Sequence, residues 1–310
     1  MAKSKSGGIK IKSTPGEFIF DVFNHILLFL IAFITLYPFW YVTILSLNNG
    51  RDAMMGGIWF FPRKFTLDNY IFVLSNPRIH SAYLVTIART LVGTALTLIV
   101  CILTAYSLSK RNLRGRNIFL TIYLVPMFIG GTMASTYLTY GWLGLNDTFW
   151  VYVIPGCFSF FYMVIIRTFI YGLPPSLDES AKIDGAGPFR ILVSIVLPLC
   201  TPVIATVGLY AGVGHWLDFG TNLYYVRFNQ NLMVLQYLLY QVIRNERMEA
   251  MGDAALIASG GKSAGGMSHT TTSESIRMAT LMVTTLPILL VYPFVQKYFV
   301  KGMMLGALKE

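Results

Sequence analysis

Charge is scarce in this chain: Asp, Glu, Lys and Arg together make up only 12% of the 310 residues, about half the share of a soluble globular protein. Hydrophobic residues make up 55%, and the mean hydropathy is +0.60. The residues of catalytic chemistry are thin as well. Three cysteines, Cys101, Cys157 and Cys200, fall inside apolar runs with no Cys-x-x-Cys spacing, and read as free buried thiols rather than ligands. His25, His80, His215 and His269 show no His-Glu-x-x-His spacing. Gly261-Lys262-Ser263 resembles the end of a phosphate-binding loop, but that loop needs a glycine where Leu256 stands. No metal, cofactor or catalytic residue is therefore expected in this chain.

Six apolar runs stand out, near 18–46, 83–108, 117–140, 149–171, 190–214 and 278–300. Each is long enough to cross a hydrocarbon core about 30 Å thick, which takes about 20 residues at 1.5 Å rise. Helices are required, because an unpaired backbone amide in hydrocarbon costs several kcal/mol. The expected fold class is all-α, a polytopic membrane protein with six transmembrane helices over 18–300.

Residues 1–17 form a polar tail, and the run after it is too long for a cleaved signal. Lys3, Lys5, Lys10 and Lys12 precede the first helix, and Lys110, Arg111, Arg114 and Arg116 lie between the second and third. The excess of positive charge in short inner loops puts both segments on the cytoplasmic face. Counting onward places Lys182, Arg190 and the tail 301–310 there too. The topology is N-in/C-in, with outer loops at 47–82 and 215–277. The Gly/Ser/Thr-rich stretch 247–272 within the latter is expected to be mobile. The net charge of +10 collects on the inner face, as juxtamembrane cations facing anionic lipid do, so no nucleic-acid partner is expected.

The segment 172–190 is the most informative. Pro174 and Pro175 stop the fourth helix, Ser176 and Glu179 have capping-box spacing, Gly185 is the permissive residue that ends the turn, and Pro188 opens the next helix. Leu177 and Ala181, four apart, make a small apolar ridge flanked by Asp178, Lys182 and Asp184. On spacing alone, this is equally a helix that merely connects two spans.

Glu179-Ser180-Ala181-Lys182-Ile183-Asp184-Gly185-Ala186, followed by Ile195, Leu197 and Pro198, resembles the EAA loop of ABC-importer permeases, with Ser180 where alanine is usual. Ala105-Tyr106-Ser107-Leu108-Ser109 with Arg111, Leu124-Val125-Pro126, and the tail from Pro293 resemble the carbohydrate-uptake permeases of that superfamily, the subgroup for oligosaccharides such as aldouronates or polygalacturonan fragments. The resemblance covers roughly 15–310. It implies a bacterial cytoplasmic membrane protein that pairs with a second permease, with two ATPase subunits that hold ATP and Mg, and with an extracytoplasmic solute-binding lipoprotein. Leu177, Glu179, Ser180, Ala181, Asp184, Gly185 and Ala186 would then couple to the ATPase, while Pro198 and Pro202, with Leu197, shape a bend in helix five.

For the substrate path, Tyr137, Tyr140, Trp142, Phe149, Trp150 and Trp216 offer the aromatic faces that sugars need, although interfacial girdles supply the same residues. Arg89 either faces a cavity or snorkels to the outer interface. Two other readings stay open: an ABC permease for a peptide, amino acid or phosphate ester, and a transporter working without ATP. Against the second, no acid stands at the centre of any apolar run.

Overall fold

The computed structural model describes residues 15–110, 112–129, 136–244 and 271–307. In chain order the helices are α1 (Pro15–Ser46), α2 (Gly50–Met54), α3 (Asp68–Leu74), α4 (Pro77–Ser109) and α5 (Arg116–Ile129). A π-helical turn (Leu138–Trp142) and a 3-10 turn (Phe149–Tyr152) follow. Then come α6 (Phe160–Tyr171), α7 (Pro175–Ile183), α8 (Pro188–Leu199), α9 (Thr201–Leu217), α10 (Gly220–Tyr225), α11 (235–244) and α12 (Ser273–Ala307). Among the described residues the only strand-like pairing is one isolated bridge, Asn48 with Phe65.

Helices α1 and α4 are each long and apolar enough to cross a membrane alone. Two bent pairs, α6 with α7 and α8 with α9, reach that length together. The core lies where α4, α6 and α9 cross. Ala82, Thr86, Arg89, Gly93, Thr97, Cys101, Ala105 and Leu108 recur every three or four residues and form the buried stripe of α4. Small residues let α9 approach: a Cβ on Gly93 would sit 2.7 Å from the His215 ring, and one on Gly212 would sit 3.4 Å from the Thr94 hydroxyl. Around this crossing Met163, Ile166, Val207 and Cys101 are fully enclosed. By contrast, the apolar window of α1 has no buried share; it rests along α12 and leaves its other faces bare.

One expectation needs correction. The run 149–171 is not one helix: α6 starts at Phe160, and its 12 residues cover about 18 Å. Residues 153–159 before it are irregular, and Val151, Tyr152 and Val153 are buried beside them against Val226 and Val234. Non-helical backbone survives at membrane depth only when protein or a cavity covers it. The run 190–214 divides into α8 and α9, which meet at 82°, in the region where Leu197, Pro198 and Pro202 stand. The 47–82 segment is an ordered plug that holds α2 and α3. Asn69 donates to the carbonyls of Ser46 (2.9 Å) and Asn48 (3.0 Å) and accepts from Ser275 (2.8 Å), tying the plug to α12. Gly50 is obligatory there, since a Cβ would lie 2.6 Å from the Thr272 backbone nitrogen. The stretch 245–270, which includes Gly261-Lys262-Ser263 and most of the low-complexity loop, lies outside the described residues.

Candidate functional site

Helix α7 leaves α6 at 74°. Gly172 closes α6 by donating to the carbonyls of Thr168 and Phe169, and Pro175 sits in the first turn of α7, where its missing N–H has no partner to lose. That placement overturns the capping box: the N-cap is Pro174, no side chain caps this end, and Ser176 lies within the helix. The far end is a Schellman motif. Gly185 has φ +77°, its N–H reaches the Lys182 carbonyl (3.0 Å), and the Ala186 N–H reaches the Ala181 carbonyl (2.9 Å).

The Schellman turn also corrects the role expected of Ala181. It faces inward, only 7% exposed, and packs with partly buried Ala186 into this chain's own core beside Tyr106 and Ile191. The outward face carries Glu179, Ser180, Asp184 and Ile183, with Leu177 39% exposed at its edge. Ile183 is 86% exposed and is the most accessible apolar side chain of the helix. It escaped attention in the sequence because it lies off the Leu177–Ala181 ridge. A cleft of about 690 Å³ opens beside α7 between α4, α6 and α8, lined by Lys110, Leu177, Asp178, Glu179 and Lys182.

Salt bridges hold the helix against the end of α4. Lys110 reaches Asp178 at 2.5 Å, and Lys182 reaches the other oxygen at 2.7 Å. Lys110 also lies 4.3 Å from the centre of the Tyr106 ring, whose hydroxyl donates to the Pro188 carbonyl (3.0 Å). Burial opposes ionisation of Asp178, but the two ammonium groups outweigh it and hold the carboxyl below its usual range. Burial likewise opposes charge on Lys110, yet Asp178 and Tyr106 leave its ammonium above the usual range.

The bend in α8–α9 has a backbone cause. Pro198 and Pro202 cannot donate, and a π-helical turn over Leu192–Val196 absorbs part of the mismatch, with the Leu197 N–H bonded to the Leu192 carbonyl. The Thr201 hydroxyl satisfies the freed Pro198 carbonyl at 2.8 Å, and the chain turns at Cys200.

Nearer the middle of α4, Arg89 is 2% exposed, which removes the snorkelling alternative. One terminal nitrogen donates to the Asp218 backbone carbonyl (2.7 Å), and the other is paired with the Asp218 carboxylate. Its guanidinium stands 4.7 Å over the Tyr152 ring. Nε is buried and has no hydrogen-bond partner among the described residues. Arg89 lines a cavity of about 250 Å³ together with Thr97, Tyr152, His215, Asp218 and Tyr225.

The expected aromatics do not gather at this cavity. Tyr137, Tyr140 and Trp142 lie exposed on or beside the π-helical turn, and Trp150 is exposed while Phe149 packs in the Val151 cluster. Trp216 packs on Tyr83 and donates to the Thr284 carbonyl (3.2 Å). Sequence reasoning missed His215, Asp218 and Tyr152 as cavity residues. The available signal was that a buried arginine needs an acid within reach.

Residues 98–305 match the family described as binding-protein-dependent transport system inner membrane component, and this chain belongs to it. It is a permease subunit of an ABC importer, a membrane protein and not an enzyme. It is 38% identical to Protein LplC of Bacillus subtilis, over 96% of this chain and 97% of that one. It is 34% identical to the polygalacturonan/rhamnogalacturonan transport system permease protein YtcP of the same organism, over 94% and 98%. Its structure resembles a chain of a bacterial ABC transporter involved in the import of the acidic polysaccharide alginate. There the TM-score is 0.81 and the identity 26%, covering 93% of this chain and 99% of that one.

Proposed function

We propose that this chain is half of the translocation pathway of an oligosaccharide importer, spanning the membrane six times with both termini in the cytoplasm. A second permease completes the pathway, a solute-binding lipoprotein delivers sugar from outside, and two ATPase subunits hold ATP and Mg. The observation that carries this is α7: a well-terminated helix set at 74° to α6, with Glu179, Ser180, Ile183 and Asp184 turned away from the core. In this reading that face docks in a groove of the ATPase, with Leu177 at its edge, and Gly185 makes the sharp exit. Ala181 and Ala186 act from inside, pinning α7 to the permease core so that a push on α7 reaches α8. The bend around Leu197, Pro198 and Pro202 then repositions α9, a rigid-body transition of the hinge type. The names of the relatives favour a sugar as solute.

The test is purification of the wild type and Gly185→Asp in mild detergent, with mass spectrometry of the co-purifying chains. We expect a second permease with both and an ATPase with the wild type alone, since an aspartate at φ +77° strains the turn that presents α7. Recovery of the wild-type chain with no ATPase would overturn the reading.

A further inference from the structure

The last turn of α4 is tied to α6, α7 and α8 at once. The Leu108 carbonyl, one of those a helix end leaves without an internal partner, accepts from Arg167 Nε of α6 at 3.0 Å. The Tyr106 hydroxyl donates to the carbonyl of Pro188, the first residue of α8 (3.0 Å). Lys110, the C-cap of α4, reaches Asp178 in the first turn of α7. Its ammonium stands 4.3 Å from the centre of the Tyr106 ring, which fixes the direction of its long stem.

The buried residue of α7 is Ala181. A helix held at one point can swing about it, and a second point fixes its direction. Asp178 supplies that second point: it stands nearly one turn before Ala181, about 4.5 Å along the axis and on the same face. A partly solvated ion pair adds little stability, but charge pairs fix orientation and register more than they add affinity. The path from Pro188 through Tyr106 and Lys110 to Asp178 therefore holds the start of α8 and the start of α7 against one helix end. We propose that Lys110 is a positioning residue for coupling: its pair with Asp178 makes α4 turn with α7, so that a push on α7 reaches α4 directly and not through α8 alone. The proposal rests on the importer reading above.

The experiment uses the assembled transporter in lipid nanodiscs, on a background lacking Cys101, Cys157 and Cys200, with spin labels at the exposed positions Ile34 of α1 and Leu84 of α4. Double electron–electron resonance reads their separation before and after the ATPase subunits are trapped with ATP and vanadate. The wild-type distance is expected to shift by several ångströms. Lys110→Met should retain the ATPase subunits and hydrolyse ATP as the wild type does, yet show less than half of that shift. Lys110→Arg, which keeps the charge, should restore the shift. A full shift in Lys110→Met, no shift in the wild type, or Lys110→Arg behaving like Lys110→Met would each overturn the proposal. Loss of the ATPase from Lys110→Met would overturn it too, because the residue would then serve docking and not the linkage to α4. If the wild type holds its ATPase while these signatures are absent, only this role of Lys110 fails. If no ATPase co-purifies with the wild type, the importer reading fails first.

Discussion

Asp178 sits between two ammonium groups, and its value to the molecule depends on both being charged. Its carboxyl lies below the ordinary range, so its contribution is complete above about pH 3.9 and is lost as pH falls through the lower folded value. Lys110 lies above its ordinary range, so its contribution is complete below about pH 10.4 and is lost as pH rises through the higher folded value. Between those limits the brace is constant. Hydrogen-exchange protection of 175–183, corrected for intrinsic rates, should be flat from about pH 5 to pH 9 and should fall below about pH 4. A step between pH 6 and pH 8 would assign the bracing to some other group. Because both side chains are partly solvated, Lys110→Met should cost under about 1 kcal/mol. The Gly185 turn was legible in the sequence because a Schellman turn is local and asks for glycine at one position. The capping box was not, because Pro175 claims the first helical turn and pushes Ser176 inside. The partnership of Arg89 with Asp218 joins residues 129 apart, and no local pattern carries that.

Helices α8 and α9 behave as one element broken in the middle. Pro198 and Pro202 marked the place in the sequence, but not the size of the turn, which depends on the π-helical turn at Leu192–Val196 and on Thr201 covering a carbonyl that proline leaves free. Replacing both prolines by alanine restores two donors and should relax the 82° bend. Spin labels at Phe189 and Leu217, read by double electron–electron resonance, should move apart by several ångströms; an unchanged distance would mean that packing and not the prolines holds the bend. The connections around Asp147 show a different kind of order. Asp147, in the left-handed region at φ +52°, accepts from the backbone N–H groups of Arg227 (2.9 Å), Phe228 (2.9 Å) and Asn229 (3.1 Å). Composition alone does not reveal such a clamp, since a lone aspartate between Asn146 and Thr148 reads as an ordinary turn residue.

Across the whole molecule, the runs 18–46 and 83–108 coincide with α1 and α4, the two described helices long and apolar enough to cross a membrane alone, and the fourth run was misjudged. The fourth run scored as a span because hydropathy counts buried irregular backbone and helix alike, whereas half of it folds under the Val151 cluster. Orientation is testable with single cysteines on a background lacking Cys101, Cys157 and Cys200. Trp59→Cys in the plug should label with a membrane-impermeant maleimide in intact cells, and Ile183→Cys should label only after permeabilisation. The reverse pattern would invert the topology.

Helix α4 runs unbroken for 33 residues and carries Arg89 near its middle and Tyr106 in its last turn. At 1.5 Å per residue the two are about 26 Å apart along the axis, which makes α4 a lever arm. A tilt of only about 5° about the Tyr106 end carries the guanidinium roughly 2 Å sideways, further than a hydrogen bond stretches before it is lost. Any rocking of α7 that α4 follows is thereby magnified at the Arg89–Asp218 pair, so a small rotation beside Asp178 becomes a displacement on the scale of a bond about 26 Å away.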